Sequence, residues 1–357
     1  MKKIANNNGR IYSMKIGING TGLTGRSIVK LLYLEKEFQD IELGQINGRS
    51  MTIEALRDRL IYSSSQGHSK LHVEVDKDKE ELIIEGRRVK YTTCPNPEEI
   101  QWLPEVELVI EATGKFRDIS NESNNPKRHF QAPNNNIKAV VISAPGKGGL
   151  EDYMWAATPN LKTELRELIE KGDPFIIGGA SCTTTATVPI VDTLDEAFGM
   201  ESCYLTTVHA VTRSQDILDG SKGWSGMDTQ LHTTGATKST NRVLRKSIPM
   251  DGIAFRTSDK AGSFVQIDAI LKKTPTKEEI LEAFKNSKYA NYLSYSNVTN
   301  PPSSYIRGDH NMVMLIPDEI VHVSKGRIVV RGLYDNEEGY AAHFLRLVNF
   351  IIKELEG

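Results

Sequence analysis

The sequence predicts an α/β protein, with a mostly parallel sheet in its first half and a mixed or antiparallel sheet in its second. Three observations predict it. Short apolar runs alternate with helix-spaced ones as far as about residue 180. A glycine-rich turn lies between the first strand-like run and the first helix-like one. Beyond residue 200 the apolar runs lengthen and polar loops separate them, which suits antiparallel pairing with helices on one face.

A chain of 357 residues exceeds the size at which one core usually stops growing, so two domains are expected. Lys and Arg number 44 against 46 Asp and Glu, which gives no electrostatic reason to expect nucleic acid or an anionic membrane as a partner. No apolar run approaches the roughly 20 residues that span a bilayer. Residues 1–13 carry Lys2, Lys3 and Arg10 but no apolar stretch, so they read as a disordered leader and not as a secretory signal. Cys94, Cys182 and Cys203 make no disulfide framework and no zinc-type spacing. A reducing, cytoplasmic setting without a bound metal is expected.

The elements follow in order. Residues 14–18 read as a strand, and 26–34 have helical apolar spacing. Further strands are expected at 41–46, 108–112 and 138–143, and an apolar run at 174–177 leads into two glycines. The second half offers strands at 203–211, 263–271 and 327–334, and 340–355 returns to helical spacing.

Gly20-Thr21-Gly22-Leu23-Thr24-Gly25 fits G-x-G-x-x-G in the strand-to-helix context that makes it a dinucleotide fingerprint. Glycines permit the tight turn and close backbone approach, and the helix start supplies free N–H groups for a pyrophosphate. The acidic residue expected about 20 positions on, for the ribose hydroxyls, is missing; the chain reads Asn47-Gly48-Arg49-Ser50. A carboxylate would repel a 2′-phosphate, whereas Gly48 leaves room and Arg49 with Ser50 could hold it. NADP is therefore predicted in preference to NAD, the bland alternative being an arginine that points into solvent.

Cys182 lies in Gly178-Gly179-Ala180-Ser181-Cys182-Thr183-Thr184, after a strand-like run and before a helix-like one. Most isolated cysteines are inert small hydrophobes, but a helix start or a neighbouring imidazolium stabilises a thiolate. His209, at the end of Thr206-Thr207-Val208, ranks only modestly above the other seven histidines.

Taken together, the motifs resemble those of the phosphorylating glyceraldehyde-3-phosphate dehydrogenase family, in order from residue 14 to the C-terminus. They are the Asn19–Arg26 fingerprint, Glu111-Ala112-Thr113-Gly114-x-Phe116, Ser143-Ala144-Pro145-x-Lys147-Gly148, Ala180-Ser181-Cys182-Thr183-Thr184 and Thr207-Val208-His209-Ala210-x-Thr212. Thr234-Gly235-Ala236, Ala254-Phe255-Arg256 and Tyr334-Asp335-Asn336-Glu337-x-Gly339-Tyr340 complete the series. The resemblance implies a Rossmann-like dinucleotide-binding domain over 14–180, an α+β catalytic domain over 181–335 and a C-terminal helix, 336–357, returning to the first.

It also implies roles. Cys182 is the nucleophile, and His209 takes its proton and lowers the thiol pKa. Thr212 and Arg256 hold the substrate's phosphate, while Ser181, Thr183, Thr234 and Gly235 cradle the attacking one. Asn19, Gly20, Gly22, Leu23, Thr24, Gly25, Thr113, Gly114, Ser143, Asn336 and Tyr340 fall on the cofactor side, with Gly48, Arg49 and Ser50. The implied activity is oxidation and phosphorylation of a phosphorylated aldehyde, glyceraldehyde 3-phosphate by default, through a thiohemiacetal and a thioester; a homotetramer is implied too.

Several positions depart from the family's pattern. Thr185-Ala186 replaces Asn-Cys after the nucleophile, and Glu338 stands where an aromatic residue is usual. The loop Arg256–Ser263 lacks its Pro-rich form, and 300–305 keeps only Ser303 and Ser304 of another motif. An arginine reinforcing the substrate phosphate has no clear counterpart, Lys222 being the nearest candidate. Two other functions stay open: an erythrose-4-phosphate dehydrogenase-like enzyme that hydrolyses the thioester, which Thr234-Gly235 argues against, and a non-catalytic nucleotide-binding paralogue.

Overall fold

The computed structural model describes residues 14–133, 136–212, 215–221 and 223–357. The expectations for residues 1–13 and for Lys222 lie outside them.

The first half folds round an eight-stranded sheet. Its parallel part comprises β1 (Lys15–Asn19), β2 (Glu42–Asn47), β7 (Arg87–Thr92), β8 (Val106–Glu111), β9 (Ala139–Ile142) and β10 (Phe175–Gly178). With β5 (Val73–Asp76) and β6 (Glu81–Ile84) the order is β10-β9-β8-β1-β2-β7-β6-β5. A short pair, β3 (Tyr62–Ser63) and β4 (Gly67–His68), stands apart from it. Burial of both faces of β1 and β8 explains their near-continuous apolar runs.

The β5–β6–β7 edge is antiparallel, which the sequence reading did not anticipate. Glu85 (φ 47°) and Gly86 (φ 77°) make two consecutive left-handed residues between β6 and β7, the geometry of a tight hairpin turn. The signal was an ordinary Glu-Gly pair between strands whose exposed faces carry charge. Helix α1 (Leu23–Leu34) follows the glycine loop, and α2 (Ile53–Ile61) and α3 (Leu161–Glu170) complete this half. The C-terminal helix α7 (Glu338–Glu356) inserts Phe344, Leu345, Val348 and Ile351 into the same core as Ile28 and Leu32 of α1.

The second half opens with α4 (Cys182–Phe198) and carries a mixed sheet, as its long strands predict. Strands β11 (Met200–His209), β12 (Gln230–Thr233), β13 (Met250–Arg256), β14 (Ser263–Leu271), β15 (Leu293–Tyr295), β16 (Val313–Leu315), β17 (Val321–Ser324) and β18 (Arg327–Tyr334) build it. The main path runs β12-β13-β11-β14-β18-β16-β15, with β11–β13 and β15–β16 parallel and the other pairings antiparallel. Helices α5 (Ala236–Leu244) and α6 (Lys277–Lys285) cover it with α4.

Helix α4 is anchored by a buried carboxylate. Asp192 accepts from Lys246 Nζ, Lys288 Nζ and Tyr289 Oη, each at 2.7 Å. Burial pushes its carboxyl up, but the bonds from Lys246, Lys288 and Tyr289 outweigh that and leave it below its usual value. A carboxyl lowered on folding adds stability above its unfolded value of about 3.9, and loses it as pH falls through the folded one. Asp192→Ala is expected to cost about 3 kcal/mol in urea denaturation at neutral pH, since both lysines stay part-exposed, with the difference narrowing in acid.

Candidate active site

The stretch before Cys182 is built from close contacts. A Cβ on Gly178 would lie 2.4 Å from Asp152 Oδ1 and 2.9 Å from Gly146 N, and one on Gly179 would lie 2.4 Å from the Phe344 ring. Both glycines are therefore required by packing. Ala180 follows with φ 55°, a left-handed conformation that costs a non-glycine residue roughly 1–3 kcal/mol. Tyr340 of α7 donates from Oη to the carbonyls of Gly179 (3.3 Å) and Ala180 (3.2 Å). Its place on the cofactor side is thus corrected: it does not line the cleft, because the buried stripe of α7 carries it under the turn it ties down.

Ser181 caps α4, its Oγ accepting from Thr184 N at 3.2 Å, and Cys182 is the first helical residue. Cys182 packs against the cores of both halves, so the thiol lies at their seam. Its Sγ is 3.3 Å from Nε2 of His209 at the end of β11. His209 Nδ1 lies 2.7 Å from the carbonyl oxygen of Ala210, which can only accept, so Nδ1 carries the proton and Nε2 is a base. Tyr334 fixes the surroundings: its Oη bonds Thr183 Oγ1 (3.0 Å) and Thr207 Oγ1 (2.8 Å), and its ring meets His209 edge-on.

Burial pushes the Cys182 thiol up, against the nearby Arg256 charge. Burial, and then Arg256, pull His209 down to about 4. Burial disfavours the charged form of each group. With Nε2 unprotonated, His209 can accept a proton from Sγ.

Thiol and imidazole open into a cleft of about 850 Å³ that also contains the glycine loop. Gly20, Gly22, Leu23, Thr24, Thr113, Gly114 and Ser143 line it, together with Gly48, Arg49, Ser50 and Asn336, all expected on the cofactor side. Three residues on that side fall elsewhere. Asn19 donates to Glu111 Oε2 (2.6 Å) and accepts from Asn47 (2.8 Å) behind the loop. Gly25 is buried in α1, where a Cβ would lie 2.1 Å from Gly20 O. The third is Tyr340.

The loop fits a dinucleotide. Gly20 has φ 119°, a Cβ on Gly22 would meet nothing within 4 Å, and α1 starts with no side-chain cap, so its first N–H groups face open space. Glu111 accepts from Thr113 N (2.8 Å) and its hydroxyl, and lies 2.9 Å from His129 Nε2. Asn336 Oδ1 accepts from Ser263 Oγ at 3.2 Å, which leaves its amide N–H₂ to the cleft.

Thr212 and Arg256 line the thiol end, and Arg256 Nη1 is buried without a hydrogen-bond partner. The groups expected to hold a second phosphate are not brought to the cleft's lining. Ser181 is engaged as a cap, Thr183 bonds Tyr334, the Thr234 hydroxyl accepts from Ala236 N (3.2 Å), and Gly235 faces another cleft. Sequence reading missed Arg59 and Glu337, both of which line the cleft. Arg59 reaches it from α2, ten residues beyond Arg49, where only the helix phase could have shown it. Glu337 sits beside Asn336 and bonds Ser65 Oγ at 2.9 Å; burial pushes its carboxyl up to about 7.

Two family models match the chain: the NAD binding domain of glyceraldehyde 3-phosphate dehydrogenase over residues 14–119, and its C-terminal domain over 181–330. A cytosolic glyceraldehyde-3-phosphate dehydrogenase of Pinus sylvestris is 31% identical, covering 95% of this chain and 98% of the relative. Glyceraldehyde-3-phosphate dehydrogenase 2 of Bacillus subtilis (strain 168) is 30% identical, covering 96% and 98%. The chain belongs to the glyceraldehyde 3-phosphate dehydrogenase family.

Within this family frame the departures have local accounts. Thr185, in place of asparagine, is buried and donates from Oγ1 to Ser181 O at 3.0 Å, reinforcing the first turn of α4. Glu338 lies 3.9 Å from buried Lys30 and 3.7 Å from His310, so a charge cluster fills the place of the aromatic residue. The altered 256–263 and 300–305 segments touch: a Cβ on Gly262 would lie 1.8 Å from Ser303 O.

Proposed function

We propose that this member of the family oxidises a phosphorylated aldehyde, glyceraldehyde 3-phosphate by default, and couples the oxidation to acyl phosphate formation. The observation that carries the reading is the 3.3 Å Cys182–His209 contact at the end of the cleft that holds the glycine loop. Sγ attacks the aldehyde carbon while its proton passes to His209 Nε2 and from there to the aldehyde oxygen, giving a thiohemiacetal and a neutral imidazole. A bound nicotinamide dinucleotide supplies a hydride acceptor. His209 takes the hydroxyl proton as the C–H electrons leave, so the acyl group remains on Sγ as a thioester. Phosphate oxygen then attacks that carbonyl, the C–S bond breaks, and Cys182 leaves as the thiol. Arg256 Nη1 and Thr212 would hold the substrate's own phosphate. Phosphate-dependent cofactor reduction tests the coupling; turnover without phosphate would instead indicate a hydrolytic enzyme, and no turnover a nucleotide-binding paralogue.

The preferred cofactor is NADP. Support comes from Arg49 and Arg59, which line the cleft with Gly48 and Ser50, the one carboxylate among the described lining residues being Glu337 beside Asn336. Gly48 contributes less than its sequence suggested, since a Cβ there would lie 1.9 Å from Tyr91 Oη and packing alone demands glycine. Arg59→Gln is expected to raise KM for NADP about ten-fold, with less than a two-fold change for NAD, in steady-state kinetics. A wild-type preference for NAD would overturn the reading.

A homotetramer fits the exposed apolar side chains of Ile217 (77%), Trp224 (75%) and Leu231 (65%), which lie close in sequence and need a cover, and a cytoplasmic setting is supported by the cytosolic relative. Among the described residues no helix is long and apolar enough to cross a membrane. Light scattering gives the number of chains.

A further inference from the structure

A second cleft, of about 500 Å³, shares no lining residue with the thiol cleft. Arg117, Lys147, Lys238 and Arg242 line it, with Asp118 as the single carboxylate. Its walls are fixed. Lys147 N donates to Arg117 O at 2.8 Å and Ile119 N to Lys147 O at 3.4 Å, so the two loops are pinned side by side. Gly148 is required there, because a Cβ would lie 2.7 Å from both Asp118 Oδ1 and Ser120 N. Arg242 of α5 donates to the carbonyls of Gly146 (3.1 Å) and Leu150 (3.2 Å) and to Asp152 Oδ2 (2.6 Å), clamping the same turn from the other half.

Arg242 is thus neutralised by Asp152, and Asp118 Oδ1 is occupied by the N–H and hydroxyl of Ser120 (3.0 and 2.6 Å). The side chains of Arg117, Lys147 and Lys238 make no hydrogen bond and no ion pair within 4 Å among the described residues, although the charges of Lys147 and Arg117 act on Asp118. Three cations without a close ion pair, facing the single carboxylate Asp118, line one cleft and make a local excess of positive charge on a chain of net charge −2. Repelling cations held together on a fixed frame are stabilised by an anion that bridges them, and the cleft has the size of a small metabolite.

We propose that this second cleft is a binding site for a small phosphate-bearing anion, separate from the catalytic cleft. Lys147 and Arg117 hold it from the first half and Lys238 from the second, so the ligand bridges the two halves. Any bound phosphate ester or inorganic phosphate shares this chemistry, and affinity distinguishes the two sources.

The test is calorimetric titration of inorganic pyrophosphate into the full chain with dinucleotide in excess, so that the glycine loop is filled. Inorganic phosphate and glyceraldehyde 3-phosphate serve as parallel probes. Pyrophosphate binding that survives Arg256→Gln, but weakens at least ten-fold in Arg117→Gln/Lys238→Gln, is the expected result. Lys147→Gln should weaken it in the same direction, and raising salt from about 50 to 200 mM should do so in the wild type. Thermal unfolding at the wild-type temperature confirms that these surface variants fold. Equal binding by wild type and double variant, or no binding at all, overturns the proposal. Loss of all binding in Arg256→Gln alone overturns it too, by placing the anion in the thiol cleft. The Arg256-dependent site bears only on the catalytic reading, so the two can fail separately.

Discussion

Cys182→Ser is expected to lower kcat at least 10⁴-fold while leaving dinucleotide affinity within about two-fold. Serine keeps the size and the hydrogen bond to His209, but its hydroxyl is a far weaker nucleophile and a far worse leaving group. Both halves of the reaction suffer, since the same atom attacks and departs. His209→Asn removes the base and is expected to cost about 10²–10⁴-fold. The pH profile adds a check. With His209 pulled down to about 4, the imidazole is already a base across the neutral range, so the acid limb of kcat/KM for the wild type falls near pH 4. Burial also pushes the thiol up, which favours attack coupled to proton transfer to Nε2. A limb at about 6.5, removed by His209→Asn, would show that the pair ionises as sequence resemblance had implied.

Arg256→Gln carries the second large effect: a fall in kcat/KM of about 10²–10³-fold with the phosphorylated aldehyde. Nη1 is buried with no partner, so it is held ready for an anion at a cost repaid only when one binds. The loss should be much smaller, below about five-fold, with an unphosphorylated aldehyde. Equal losses on both substrates would mean that Arg256 acts mainly through its charge on Cys182 and His209. Its effect on their protonation makes that outcome measurable.

Much of this was legible in the sequence because the decisive signals are local. The glycine loop, the Ser-Cys-Thr-Thr stretch and the Asp335-Asn336-Glu337 run each place backbone and side chain within a few residues. The two sheets were legible from run length and spacing, and the C-terminal helix from its apolar stripe. What sequence could not show depends on distant packing. Gly48 read as room for a phosphate, yet Tyr91, 43 positions on, explains it. Tyr340 read as a cofactor contact because it sits in the Asn336 motif, but one further helical turn carries it under Gly179. The burial that shifts Cys182 and His209 arises at a seam between halves, which no motif encodes. Arg59 and the Arg117–Lys147–Lys238 cluster come from separate segments that only the fold assembles.

The most direct measurement is mass spectrometry of the protein mixed with glyceraldehyde 3-phosphate and NADP in the absence of phosphate. The expected result is one acyl adduct per chain, mapped to Cys182, formed with one equivalent of NADPH and discharged when phosphate is added. No adduct, an adduct on Cys94 or Cys203, or continued turnover without phosphate would contradict it.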